Sequence, residues 1–211
     1  MRLRSAGLPT RDPQALRVAP GVLLRPVIRF NDRDGNLRAD RPPQRIPWTY
    51  LLAREVNGAQ AACDLLSGLN SPLSARRRGR TEQLALAVRP PDLPTRLIDH
   101  SRVDKNHKLF GYEIYAYGPN SPETVLLGRT DMHGAITVPP ADDPLRLLVI
   151  KSGGEFLARL PIVPGVEGEA LAAVPNDDDR LAVEGYITGL QEEVVDLVAR
   201  RTTLIAMIRA R

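Results

Sequence analysis

The sharpest run of chemistry-bearing side chains is Arg76-Arg77-Arg78-Gly79-Arg80. Closely spaced guanidinium groups neutralise phosphates and release counterions, so the run is a candidate polyanion patch made of Arg76, Arg77, Arg78 and Arg80. The same residues also suit a solvated loop, or a loop docked on an acidic partner such as Asp177-Asp178-Asp179. Asp32-Arg33-Asp34-Gly35-Asn36 has the opening pattern of a calcium loop. Such a loop needs a bidentate Glu at its twelfth position, and counted from Asp32 that position is Pro43. A turn built on Asp and Gly is the expectation instead. Asp177–Asp179 could hold a cation, but a helix N-terminus accounts for them with less.

The histidines, His100, His107 and His133, show no metal-ligand spacing, and each reads as a surface residue. Cys63 is the only cysteine, so neither an intramolecular disulfide nor a cysteine-based metal cluster can form. It lies among Ala and Leu and reads as a small buried apolar residue rather than a nucleophile. No nucleophile elbow, phosphate loop or dinucleotide loop occurs. The sequence therefore predicts no catalytic residue, no cofactor and no metal.

Charge narrows the partners. The chain has 211 residues and a formal net charge of +4, and all but three of its basic residues are arginine. Arginine in place of lysine, with abundant Ala and Pro, is what GC-rich coding produces, and it requires no polyanion. The charge is also divided: the first 110 residues carry a net +10 and the rest a net −6. Opposed halves can satisfy each other within one molecule or between two. Only 4% of the residues are aromatic, which counts against a stacking platform for bases or sugars. The first twenty residues lack the apolar run of a signal peptide, which predicts a cytoplasmic protein. A cell-envelope location fits instead if the chain is part of a longer gene product. No stretch reaches the roughly 18 apolar residues of a membrane span.

Patterning then places these residues on elements. Residues 1–20 read as a flexible tail and 21–103 as a β-rich domain. In the latter, Pro26 interrupts an apolar strand and suggests an edge or a bulge. Residues 57–72 fit a strand and loop slightly better than a short helix. Residues 99–108 read as a polar linker. From 108 to 165, five short apolar runs alternate with turns, and Ser152-Gly153-Gly154 marks a hairpin. The fold class is thus mainly β, two small antiparallel β-sandwich-like units, followed by a long C-terminal amphipathic α-helix at 176–211. Asn176 and the Asp run open that helix. Ile187, Leu190, Val194, Leu197, Leu204 and Ile208 fall at coiled-coil spacing, with Arg201 as the one polar seam position.

Thr130-Asp131-Met132-His133-Gly134, followed by Ala135-Ile136-Thr137-Val138-Pro139, gives residues 109–163 a shape that resembles the transthyretin-like, or carboxypeptidase-regulatory, β-sandwich family. The resemblance implies a fold, and a non-catalytic accessory role. The chain as a whole looks like bacterial proteins with no assigned activity, which implies nothing mechanistic. The functional expectation is a non-catalytic structural or interaction protein, with a β-scaffold and a helix used for packing or self-association. The alternative is binding of nucleic acid or another polyanion through the basic N-terminal half.

Overall fold

The computed structural model describes residues 1–3, 17–32, 34, 36, 38, 40–74, 81–121 and 123–209. Strand occupies 43% of it and one long C-terminal helix 17%, the mainly β fold that the sequence predicts.

The first sheet contains β1 (Leu23–Phe30), β2 (Gln44–Arg45), β3 (Thr49–Asn57), β4 (Gln60–Ser67) and β5 (Thr81–Ala87), all paired antiparallel. β5 runs along one side of β1. β3 and β2 share the other side, beside Leu23-Leu24 and Val27-Ile28 respectively. Pro26 therefore lies in a central strand, not at an edge or bulge. The reason is local. In an antiparallel strand the N–H and C=O of one residue face the same neighbour. The Pro26 carbonyl accepts from the Ile46 N–H at 3.2 Å. Its missing N–H thus faces the gap between β2 and β3, where no ladder bond is lost. The ambiguous stretch after residue 57 is strand: Gly58, at φ +56°, turns β3 into β4.

Seven more strands follow: β6 (Thr95–Ser101), β7 (Glu113–Tyr117), β8 (Val125–Arg129), β9 (Ala135–Val138), β10 (Arg146–Ser152), β11 (Glu155–Ile162) and β12 (Glu169–Val174). They form two sheets, ordered β11-β10-β7-β8 and β12-β6-β9. Leu97, Ile114, Val138, Leu148, Ile150 and Ala172, all fully buried, pack between them. Each large aliphatic buried there contributes roughly 1.5–3 kcal/mol. This sandwich does not follow the expected division in chain order. β6 pairs antiparallel with β9 and parallel with β12, which lies beyond residue 165. A second cluster, Leu23, Tyr50 and Leu52 with Leu145 and Val163, joins the first sheet to the sandwich.

The Thr-Asp-x-x-Gly turn between β8 and β9 is a hydrogen-bonded corner. The Asp131 carboxylate accepts from the N–H groups of His133 (2.8 Å) and Ala135 (2.9 Å), and these bonds hold it below the usual carboxylate range. Buried Thr130 donates its hydroxyl to the Leu109 carbonyl at 2.7 Å and accepts from the Tyr112 N–H at 2.9 Å. Gly134, at φ +68°, closes the turn against β6, donating to Asp131 while its carbonyl accepts from the Asp99 N–H.

The expected polar linker is corrected in its first three residues. Asp99, His100 and Ser101 complete β6 and are buried. Pairing on both sides of β6 overrides their polar composition. His100 is accordingly not a surface residue; its Nδ1 lies 2.9 Å from the Ser101 carbonyl oxygen.

The helix α1 (Asp178–Arg209) leaves the sandwich after Asn176, whose side-chain oxygen accepts from the Asp178 N–H at 3.1 Å. Its root is well held. Asp177 is buried; its N–H donates to the Tyr112 hydroxyl at 3.0 Å. Arg180 pairs with the Asp177 carboxylate at 2.5 Å and donates to the Ser152 carbonyl at 3.2 Å. That pairing keeps the Asp177 carboxyl below its ordinary range. His107 reaches Asp178 at 3.1 Å. Beyond this first turn the helix projects, and none of its described residues is buried.

Candidate functional site

At 3.6 residues per turn, Ile187, Leu190, Val194, Leu197, Leu204 and Ile208 fall on one side of α1, while Glu184, Thr188, Glu192 and Asp196 fall on the other. All six seam residues are exposed, from 43% at Leu190 to 74% at Ile208. The helix therefore does not pack this stripe on the β-scaffold. Arg201 stands in the middle of it, and Val195 and Met207 lie outside it, also exposed. Beyond the first turn, which holds Arg180, acidic and basic side chains are segregated along the axis. Glu192, Glu193 and Asp196 precede Arg200, Arg201 and Arg209, and Arg200 rests 3.5 Å from Asp196.

The other candidates are dispersed. Arg76, Arg77, Arg78 and Arg80 lie outside the described residues. Asp32 uses its carboxylate on the N–H groups of Asp34 (2.9 Å) and Asn36 (2.8 Å), as a turn-forming Asp does. Cys63 is half-buried on β4, with its thiol pushed up by burial. Among the described residues no three His, Cys, Asp or Glu side chains come together as metal ligands. No helix is long and apolar enough to cross a membrane among those residues.

The structure also assembles a polar cleft that sequence reading missed, at the junction of the first sheet and the sandwich. Arg25 of β1, Arg45 of β2, Trp48, Tyr50 of β3 and Glu167 line it together with Thr95 and Leu171. Arg25 shares a strand face with Leu23 and so points toward the sandwich. It is only 8% exposed. Its Nη2 donates to Glu167 Oε1 at 2.5 Å, and Arg45 Nη1 reaches the same oxygen at 3.3 Å. The Arg25 guanidinium also stands 5.8 Å from the Tyr50 ring centre. Here two basic residues of the first half of the chain meet an acidic residue of the second half. Trp48, the only tryptophan, has φ +48°, a left-handed conformation that costs a bulky residue about 1–3 kcal/mol. Only the lone Trp beside Pro47 could have drawn attention to the site; Arg25 and Glu167 lie 142 residues apart.

Comparison with protein-family models, curated proteins and solved structures found no match.

Proposed function

We propose that the chain is a non-catalytic interaction protein whose β-scaffold presents α1 for self-association, with α1 of one copy lying antiparallel on α1 of a second. The observation that carries this reading is a helix of 32 residues with no buried side chain and an exposed apolar seam. Isolated helices are marginal in water, because most helical stability comes from packing of the apolar face. Gly185 and Gly189 within α1, where an added Cβ would meet no neighbouring group within 4 Å, weaken it by about 1 kcal/mol each relative to alanine. A second copy supplies the missing contacts.

Charge favours the antiparallel arrangement. A parallel, in-register pair would stack Arg201 on Arg201 in the seam. Reversing one helix sets Ile187 opposite Leu204, Leu190 opposite Arg201 and Val194 opposite Leu197. It also places Glu193 beside Arg200 twice, by symmetry. In this register Arg209 of the second copy ends beside Ala182, one turn beyond the helix root.

Residues 95–174 are read as the transthyretin-like module, a wider span than 109–163. The two-sheet sandwich and the Thr130–Gly134 corner support that reading. The accessory role that the family implies fits a scaffold for a projecting helix.

Glu193→Arg and Arg200→Glu, each alone, create two like-charge contacts per dimer and are expected to weaken it about tenfold in sedimentation equilibrium. The double variant restores the pairing and most of the affinity. Singles without effect, or a double variant as weak as the sum of the singles, would exclude the antiparallel register.

A further inference from the structure

We propose that the cleft at the junction of the first sheet and the sandwich binds a small organic carboxylate with a flat apolar body. The cleft encloses about 290 Å³, close to the lower end of small-ligand sites. Its chemistry is unbalanced in one direction. Two guanidinium groups, Arg25 and Arg45, share a single oxygen of a single carboxylate, Glu167. One positive charge is left over.

Hydrogen bonding is unbalanced in the same sense. Arg25 Nε and Nη1 are buried and have no hydrogen-bond partner among the described residues. Guanidinium carries five N–H donors and no acceptor, and leaving such donors buried and unmatched costs more than the one ion pair returns. A sequence that only needed to seal this junction would do better with an aliphatic residue at position 25, like its strand-face neighbours Leu23 and Val27. A ligand carboxylate supplies one negative charge, and two oxygens able to take charge-assisted bonds from Arg45 at the mouth and, once its guanidinium turns toward the cleft, from the buried nitrogens of Arg25 at the floor.

The remaining walls choose the rest of the ligand. Trp48 and Tyr50 offer aromatic surface, and Ile162 and Leu171 aliphatic surface. A flat apolar body packs on these as an aromatic ring packs on another. The strained backbone of Trp48 fits a side chain held in place for such a contact, since strain of this kind persists where the surroundings impose it. This site is independent of α1 and of self-association.

Because Trp48 is the only tryptophan, its fluorescence reports on the cleft directly. The test titrates the full chain with benzoate, and with neutral benzamide as the isosteric control. Benzoate is expected to change the Trp48 emission saturably in the millimolar range or below, and benzamide to bind at least tenfold more weakly. Arg45→Gln, at a mostly exposed position where folding is not at stake, is expected to weaken benzoate tenfold or more with an unchanged far-UV circular dichroism spectrum. No saturable response to benzoate, equal response to benzamide, or undiminished affinity in Arg45→Gln would each overturn the assignment.

Discussion

Replacing Asp99 with asparagine is expected to remove a large pH dependence from the stability of the fold. Asp99 is fully buried in β6, on the strand face of Leu97, and neither carboxylate oxygen has a hydrogen-bond partner among the described residues. Burial alone pushes its carboxyl up to about 7, from 3.8 in the unfolded chain. A raised carboxyl pKa means that the folded state holds a proton the unfolded state has released. Below pH 4 both states are protonated, and the fold carries no charge penalty at this site. As the pH rises from about 4 to about 7, the unfolded chain ionises and the folded chain does not. Stability therefore falls by about 1.4 kcal/mol per pH unit, in all about 4 kcal/mol, and stays low above neutrality. Urea denaturation midpoints at pH 5 and pH 8 measure this. The wild type is expected to lose stability between them relative to Asp99→Asn, whose side chain does not titrate. Parallel pH curves for the two proteins would show that Asp99 ionises in the folded state at ordinary carboxylate pH.

The next largest effect belongs to Gly134. An added Cβ would collide with the Asp99 carbonyl oxygen and come within 3.2 Å of the Leu109 backbone nitrogen. Both obstacles are main chain, one of them in the central strand of its sheet, so neither can move aside. The φ of +68° adds the left-handed penalty, about 1–2 kcal/mol. Gly134→Ala is therefore expected to destabilise the protein by roughly 3 kcal/mol or more. Gly154 isolates the backbone term. It has φ +88°, but an added Cβ would meet nothing within 4 Å, so Gly154→Ala should cost only about 1–2 kcal/mol. Equal losses at the two positions in equilibrium denaturation would show that the Thr130–Gly134 corner is not tightly packed on β6.

These two residues also mark where the sequence was legible and where it was not. Alternation and turn residues located β7 to β11 closely, and the Asn176 cap with the seam of Leu and Ile located α1. Such signals are local. β12, Glu169–Val174, is half alanine and carries little β-propensity of its own; its parallel pairing with β6, some seventy residues earlier, makes it a strand. The same pairing converts Asp99-His100-Ser101 from an apparent linker into buried strand. Pro26 is acceptable in a central strand only because β2 and β3 break opposite it, which no reading of β1 alone reveals. The α1 surface could be read from its own residues. The junction cleft could not, because Glu167 meets Arg25, Arg45 and Trp48 of the first sheet only through the docking of the sandwich on that sheet.

The central claim, that α1 joins two copies, is tested most directly by the mass of the full chain in solution. Light scattering at low and moderate salt compares it with the variant carrying Val194→Asp and Leu197→Asp, both at exposed positions where the β-scaffold is untouched. A wild-type dimer and a monomeric variant are the predicted result. A monomeric wild type at micromolar concentration, or a variant that remains dimeric, would contradict the account.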